Sequence, residues 1–349
     1  MKLTGSSIFL LALLLRSASS GFVPALADDL SEDISQTQSL SPEQAKSLAE
    51  EFKAKGSLPG GANGLDLRGL TSLSVETAAE LAKFTGTWLW LDGLSSLDAK
   101  TAKALAGFKG SLQINGLPAL EAETAKALAE SQCEILILNG VTTLDAEAAR
   151  ELARFSGKWL YLNGLQAISA DTAKSLANFG GEILSLQGLA ELSPEAAQGL
   201  ATYTGPLWGI GGIGGNGRLY LDGLTKLSPE AAAQLAAFFG EAMTLGMPEI
   251  SPEVARELAR WNPGRKNPIP GVVGFLKFPN LTSLSLESAK AIADAQCGSL
   301  MLGGERFENP AQPRHMTVDA PALQALGGFK GKGKVSFGSS LQAADLPVN

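Results

Sequence analysis

Five aromatic residues carry most of the chemistry this sequence offers: Trp88, Trp90, Trp159, Tyr161 and Tyr220. Each lies close along the chain to Asp92, Asn163 or Asp222. Such rings stack on sugars or anchor a protein partner, and the amides and carboxylates beside them hydrogen-bond hydroxyls. That is recognition chemistry. Groups suited to catalysis are single or scattered. His315 is the one histidine and has no cysteine cluster near it, so it makes neither a metal site nor a nucleophile–base pair. Carboxylates mostly sit with Lys or Arg on helices, as in Glu76, Glu80 and Lys83, which reads as a solvated face. No pair of them stands out as a glycosidase acid and base. Gly209, Gly211 and Gly214 spell G-x-G-x-x-G, but the run follows a helix and precedes the strand Leu219 to Leu221. A dinucleotide site needs the opposite order. No Lys-Ser or Lys-Thr completes a phosphate loop. No cofactor and no metal are expected, and no enzymatic activity.

The elements that must position these rings repeat. Trp90 belongs to Leu89-Trp90-Leu91-Asp92-Gly93-Leu94, and the same unit recurs at Gln36, Gly69, Gly93, Gly116, Gly140, Gly164, Gly188, Gly223, Gly246, Asn280 and Gly304. Intervals of 23 or 24 residues, and three longer ones that add a loop, mean stacked repeats, each too small to bury a core alone. Four and two residues before most slots stand apolar residues: Leu89 and Leu91, Leu112 and Ile114, Leu136 and Leu138, Leu160 and Leu162, Leu184 and Leu186, Leu219 and Leu221. That alternation is a short strand with one face buried. Gly in the slot is expected to supply a positive φ that ends the strand.

Five residues after most slots comes a helix N-cap: Ser74, Asp98, Asp145, Ser169, Ser193, Ser228, Ser251 or Ser285. Pro42, Pro194, Pro229 and Pro252 follow such a residue, where a missing N–H costs nothing. The helix then reads Ala-x-x-Leu-Ala, as in Ala78, Leu81 and Ala82, which puts the three on one face. An aromatic closes it, Phe84, Phe108, Phe155, Phe179, Tyr203, Phe238 or Trp261. Gly86, Gly110, Gly157 and Gly205 then suit a C-cap. A helix of about ten residues per repeat is expected.

From Leu65 to Gly304 this pattern resembles the leucine-rich-repeat superfamily, in particular bacterial secreted variants with short strand-plus-helix repeats. The usual Asn or Cys at the turn is mostly replaced by Gly-Leu. The resemblance implies an α/β solenoid, an arc with a parallel sheet on its inner side and short helices on the other. It implies binding as the usual task and names no partner.

Residues 1–27 read as a secretory signal peptide: Lys2, the apolar run Ile8 to Leu15, and Ala25-Leu26-Ala27 before Asp28. Arg16 interrupts the run and leaves a second cleavage point near Ala18. Eight apolar residues cannot span a bilayer, which needs about 20. Residues 28–64 form a lead-in and a capping helix, Leu40 to Phe52, that covers the first edge of the stack. The solenoid occupies 65–337, with insertions near 205–218, 262–274 and 305–316, and 338–349 is a tail. Val318 to Phe329 reads as a degenerate last helix and Val335 to Phe337 as a closing strand. Arg256, Arg260, Arg265 and Lys266 form a small basic spot, read as a solvated loop.

A net charge of −7 argues against nucleic acid and an anionic membrane surface. The informative residues alternate with the buried ones: Trp88, Trp90, Asp92; Ser111, Gln113, Asn115; Ile135, Ile137, Asn139; Trp159, Tyr161, Asn163; Ile183, Ser185, Gln187; Arg218, Tyr220, Asp222. A contiguous apolar patch there is rarely left in water without use. The expected site is therefore Trp88, Trp90, Ile137, Asn139, Trp159, Tyr161, Asn163 and Tyr220. The expected function is that of an exported, non-enzymatic protein binding a protein or glycan on this face; the alternative is a structural or cell-surface spacer in which the rings are cross-strand packing. The destination is the periplasm, the cell surface or the medium. Cys133 and Cys297 each stand 17 residues after a slot, six repeats apart. At roughly 4.8 Å per repeat they lie about 29 Å from each other, too far for a disulfide.

Overall fold

The structure, a computed structural model, describes residues 35–56, 63–206, 217–262, 274–303, 316–331 and 334–337. The segment expected to be a signal peptide, the lead-in before residue 35, the interior of the three insertions with the G-x-G-x-x-G run and His315, and the tail lie outside the described residues. The chain forms two compact units, Met1–Val141 with Phe155–Leu160, and Thr142–Arg154 with Tyr161–Asn349.

In the first unit a long helix α1 (Pro42–Lys55) precedes three strand–helix turns: β1 (Gly64–Asp66), α2 (Val75–Leu81), β2 (Trp88–Trp90), α3 (Ala99–Leu105), β3 (Ser111–Gln113) and α4 (Ala122–Ala129). The strand β4 (Ile135–Ile137) follows, and β5 (Trp159–Tyr161) begins in this unit. β1 to β4 pair in parallel, with Leu65, Leu89, Leu112 and Leu136 in register. These leucines and the helix residues Ala78, Leu81, Ala102, Leu105, Ala125 and Leu128 are all buried. α1 does for the first repeat what a preceding turn would do. Its Phe52 ring meets Phe84 edge-on at 4.7 Å, the Leu40 carbonyl accepts from the Thr77 hydroxyl, and the Gln38 carbonyl accepts from the Thr71 amide. Those three contacts dock residues 38–52 on the first repeat.

The second unit contains α5 (Ala146–Leu152), α6 (Ala170–Leu176), β6 (Ile183–Ser185), α7 (Pro194–Leu200), β7 (Arg218–Leu221), α8 (Pro229–Leu235), β8 (Ala242–Leu245), α9 (Pro252–Leu258), β9 (Phe275–Phe278), β10 (Ser283–Leu284), α10 (Leu286–Ala293), β11 (Ser299–Leu302), β12 (Thr317–Val318), α11 (Ala320–Leu326) and β13 (Val335–Phe337). β6, β7, β8, β9, β11 and β13 pair in parallel in that order. β10 and β12 form a separate short parallel pair that the repeat pattern does not foretell. In each unit the chain winds as a leucine-rich-repeat-type solenoid, one strand and one helix per turn.

Local chemistry behaves as read. All eight expected N-caps accept a hydrogen bond from an amide of the first turn. Four helices open on the expected prolines. Most helices are shorter than expected, seven residues, because the chain must drop back to the next strand within the period. The three-residue turn that ends them, Phe84 amide to Leu81 carbonyl at 3.0 Å, delivers the aromatic straight into the core.

Three expectations are corrected. The slot glycines do not have positive φ; among the described residues only Gly56, Gly205 and Gly303 do. The slot needs Gly because successive turns touch backbone to backbone. A Cβ on Gly93, Gly116, Gly140, Gly188 or Gly223 would stand 1.8–2.4 Å from a carbonyl oxygen of the turn before. Second, Gly86, Gly110 and Gly157 are not C-caps. The caps are Ala82, Ala106 and Ala153, and each Gly instead passes over the closing ring, whose Cζ would lie 2.1–2.6 Å from an added Cβ. Third, the strand before Gly246 departs from the four-and-two spacing, although Gly246 keeps the slot's close approach, a Cβ there running into the Asp222 carbonyl oxygen. Leu221 pairs with Leu245, which turns Met243 and Leu245 inward and Thr244 to the other face. Burying two large apolar side chains against the helices sets the strand register there.

Cys133 and Cys297 are both buried and unpaired. Burial pushes each thiol up to about 11. Thiolate is the reactive form, so both should label about a hundredfold slower than an ordinary thiol in the folded protein. Titration in denaturant without reductant should then count two thiols per chain; a count of zero would mean a bridge and a different repeat register.

Candidate binding face of the strands

Each strand has two faces because successive side chains alternate. One face is the leucine layer against the helices. The other carries the aromatic and polar columns.

In the first unit that face holds Trp88 and Trp90 on β2, Ser111 and Gln113 on β3, Ile135 and Ile137 on β4, and Trp159 at the start of β5. All but Ser111 are half-buried. The indoles of Trp88 and Trp90 stack on each other, centroids 5.5 Å apart and planes 4° apart. The pair is seated by a residue the sequence reading passed over. Gly64 is the register partner of Trp88, and a Cβ there would lie 2.5 Å and 2.8 Å from atoms of the Trp90 ring. The clue was present: Gly64 is a glycine in a column where the next repeat has Trp88. The indole N–H of Trp159 is buried and has no hydrogen-bond partner among the described residues.

The polar column beside these rings is occupied with structure. Asp92 accepts the Asn115 amide at 2.9 Å and the Gln113 side chain at 2.7 Å. Asn115 accepts the Asn139 amide at 2.9 Å. The side chain at the end of one strand thus holds the backbone of the next repeat. Asp66 is clamped by Arg68 through two guanidinium nitrogens, and that hydrogen-bonded charge holds its carboxyl below the usual range.

The second unit carries Tyr161, Asn163, Ser185, Tyr220, Thr244 and Lys277 along one side of its sheet. Tyr161 and Tyr220 are half-buried, and burial raises both phenols. Ser185, the register partner of Tyr220, is fully buried and donates to Asn163 at 2.7 Å. Asn163 also accepts the Gln187 amide, at 3.1 Å. Arg218 pairs with Glu241 across neighbouring strands at 3.3 Å. Phe275 is among the few large apolar side chains left exposed, at 37%. Of the expected site residues, Trp88, Trp90, Ile137, Asn139 and Trp159 therefore stand on the first unit, and Tyr161, Asn163 and Tyr220 on the second.

Among the described residues no group of His, Cys, Asp or Glu is placed to hold a metal ion, and no helix is long and apolar enough to cross a membrane. No protein-family model and no curated protein matches the chain. Solved structures resemble it weakly. The Toll–Spatzle complex of Drosophila matches with a TM-score of 0.40 and 11% identity, over 74% of this chain and 37% of that one. The yeast Rad7 and Elc1 complex matches at 0.35 and 14%, over 99% and 96%. The leucine-rich-repeat domain of APL1B matches at 0.30 and 12%, over 97% and 76%. The chain spans little more than a third of the Toll–Spatzle chain it matches, 37%. Its own geometry, parallel strands in register at intervals of 23 or 24 residues with a short helix after each, is what makes its turns leucine-rich-repeat-like.

Proposed function

We propose that this is an exported, non-enzymatic binding protein that takes up a protein partner on the strand face of its first unit. The observation that carries the reading is the half-exposed, mutually stacked Trp88–Trp90 pair. Seated over Gly64 and beside Ser111 and Gln113 of β3, it is a rigid aromatic anchor, the kind of group that dominates protein interfaces at little entropic cost. A protein is favoured over a glycan because a sugar needs free polar partners at the rings. Here Asp92, Gln113 and Asn115 already bond one another or the next repeat's backbone. Asn139 and Trp159 on this unit, and Tyr161 and Tyr220 on the second, are assigned to binding on the same grounds of position, whereas the Asn163 oxygen is taken up by Ser185 and Gln187. The N-terminal leader supports export, to the periplasm, the cell surface or the medium.

The packing of Trp90 on Gly64 also suits a second reading, in which the rings only stiffen the sheet of a structural spacer. One substitution separates the two. Trp90→Ala should weaken binding to the protein ligand found in a panel of extracellular proteins and glycans by about thirtyfold, as hot-spot truncations do. Its melting temperature should fall only a few degrees. Unfolding of the variant would favour the spacer, and unchanged affinity would remove Trp90 from the site.

A further inference from the structure

Five Asn-Gly dipeptides occur in the chain, at Asn63, Asn115, Asn139, Asn163 and Asn216. This is the sequence most prone to self-modification, since glycine's bare backbone nitrogen reaches the preceding carboxamide with little hindrance. We propose that Asn63–Gly64 is a site of spontaneous deamidation and that the ladder asparagines are protected by the fold. Asn115 has its side-chain oxygen tied to the Asn139 amide, and Asn163 has its oxygen tied to the Gln187 amide and the Ser185 hydroxyl. Those carboxamides cannot swing toward their own following nitrogen unless the stack opens locally. Asn63 is exposed, and among the described residues nothing holds its side chain. Asn216 lies outside the described residues.

In the reaction the deprotonated Gly64 nitrogen bonds to Cγ of Asn63, and the Cγ–N bond to the side-chain amide breaks. Ammonia leaves with the proton. Water then opens the five-membered succinimide at either carbonyl, leaving an aspartyl or an isoaspartyl residue; nothing is oxidised or reduced.

The position gives the reaction a structural consequence. The Asn63 carbonyl accepts the Thr87 amide at 2.6 Å and the Thr87 hydroxyl at 2.9 Å, which fixes β1 on β2. An isoaspartyl link adds a methylene to the main chain and converts that carbonyl into a free carboxylate. Gly64, on which the Trp90 ring rests, then loses its register. The isoaspartyl form should therefore carry a loosened tryptophan stack.

The test is incubation of the folded protein at mildly alkaline pH and body temperature, followed by peptide mapping with isoaspartate detection. Asn63 should convert at least about tenfold faster than Asn115 and Asn163, with the difference lost in denaturant, where every Asn-Gly opens alike. Tryptophan fluorescence should drift with the same time course in the parent and stay constant in Asn63→Gln. Equal rates at the three sites in the folded protein, or an intact Asn63 while a ladder asparagine converts, would overturn the site. A fluorescence drift that persists in Asn63→Gln would overturn the link to the tryptophan pair.

Discussion

Gly140→Ala should cost about 3–5 kcal/mol, at or beyond the top of the range for forcing atoms into close-packed structure. The added methyl would stand 1.8 Å from the Asn115 carbonyl oxygen and 3.0 Å from that of Leu117. Both obstacles are backbone, so neither can rotate away. Relief requires lifting one turn off the one before it. That in turn breaks the bond from the Asn139 amide to the Asn115 side chain. Gly180→Ala is the control, because nothing lies within 4 Å of a Cβ there, and it should stay within about 0.5 kcal/mol of the parent. Urea denaturation of the three proteins decides the matter. If Gly140→Ala unfolds at the parent's midpoint, the turns do not stack as closely as the structure has them.

Phe238→Ala should be comparably severe, about 3–5 kcal/mol, the usual loss on deleting a buried ring. Phe238 is 2% exposed and lies in a column of rings, 6.2 Å from Tyr203 and 6.3 Å from Trp261, with planes within 19° of parallel in both cases. The column cannot simply collapse into the gap. Tyr203 donates its hydroxyl to the Gly181 carbonyl at 2.8 Å, and Trp261 donates its indole N–H to the Phe238 carbonyl at 2.9 Å. Both neighbours are held by their polar ends, which keeps the cavity open and its cost high. Phe238→Leu refills most of the volume and should lose about half as much. Val75→Ala, at a residue 39% exposed, should be nearly neutral. A chain that tolerates Phe238→Ala as well as Val75→Ala would show the ring column to be incidental.

What the sequence alone determined is whatever obeys a rule spanning one turn of chain. The serine and aspartate caps, the prolines behind four of them, the alternation that turns Leu89 inward and Trp88 and Trp90 outward, and the unpaired fate of Cys133 and Cys297 all follow from neighbours within a few residues or from the period itself. Tertiary structure decided why each type was required. Gly140 reads as a φ requirement until the carbonyl of Asn115 is seen in its way, and the Asp92, Asn115 and Asn163 column reads as a ligand-facing ladder until its bonds to the next repeat are traced. Thr77 and Thr172 look like ordinary first-turn residues, yet their hydroxyls donate to Leu40 and Leu144, one repeat back. At β8 the strand stands one residue closer to its glycine than in the other repeats, because the register was set by burying Met243 and Leu245. In each case the deciding partner lies a full repeat or more away in the chain. A periodic sequence announces that such partners exist, but the contact distances that make one atom too many appear only once the turns are stacked.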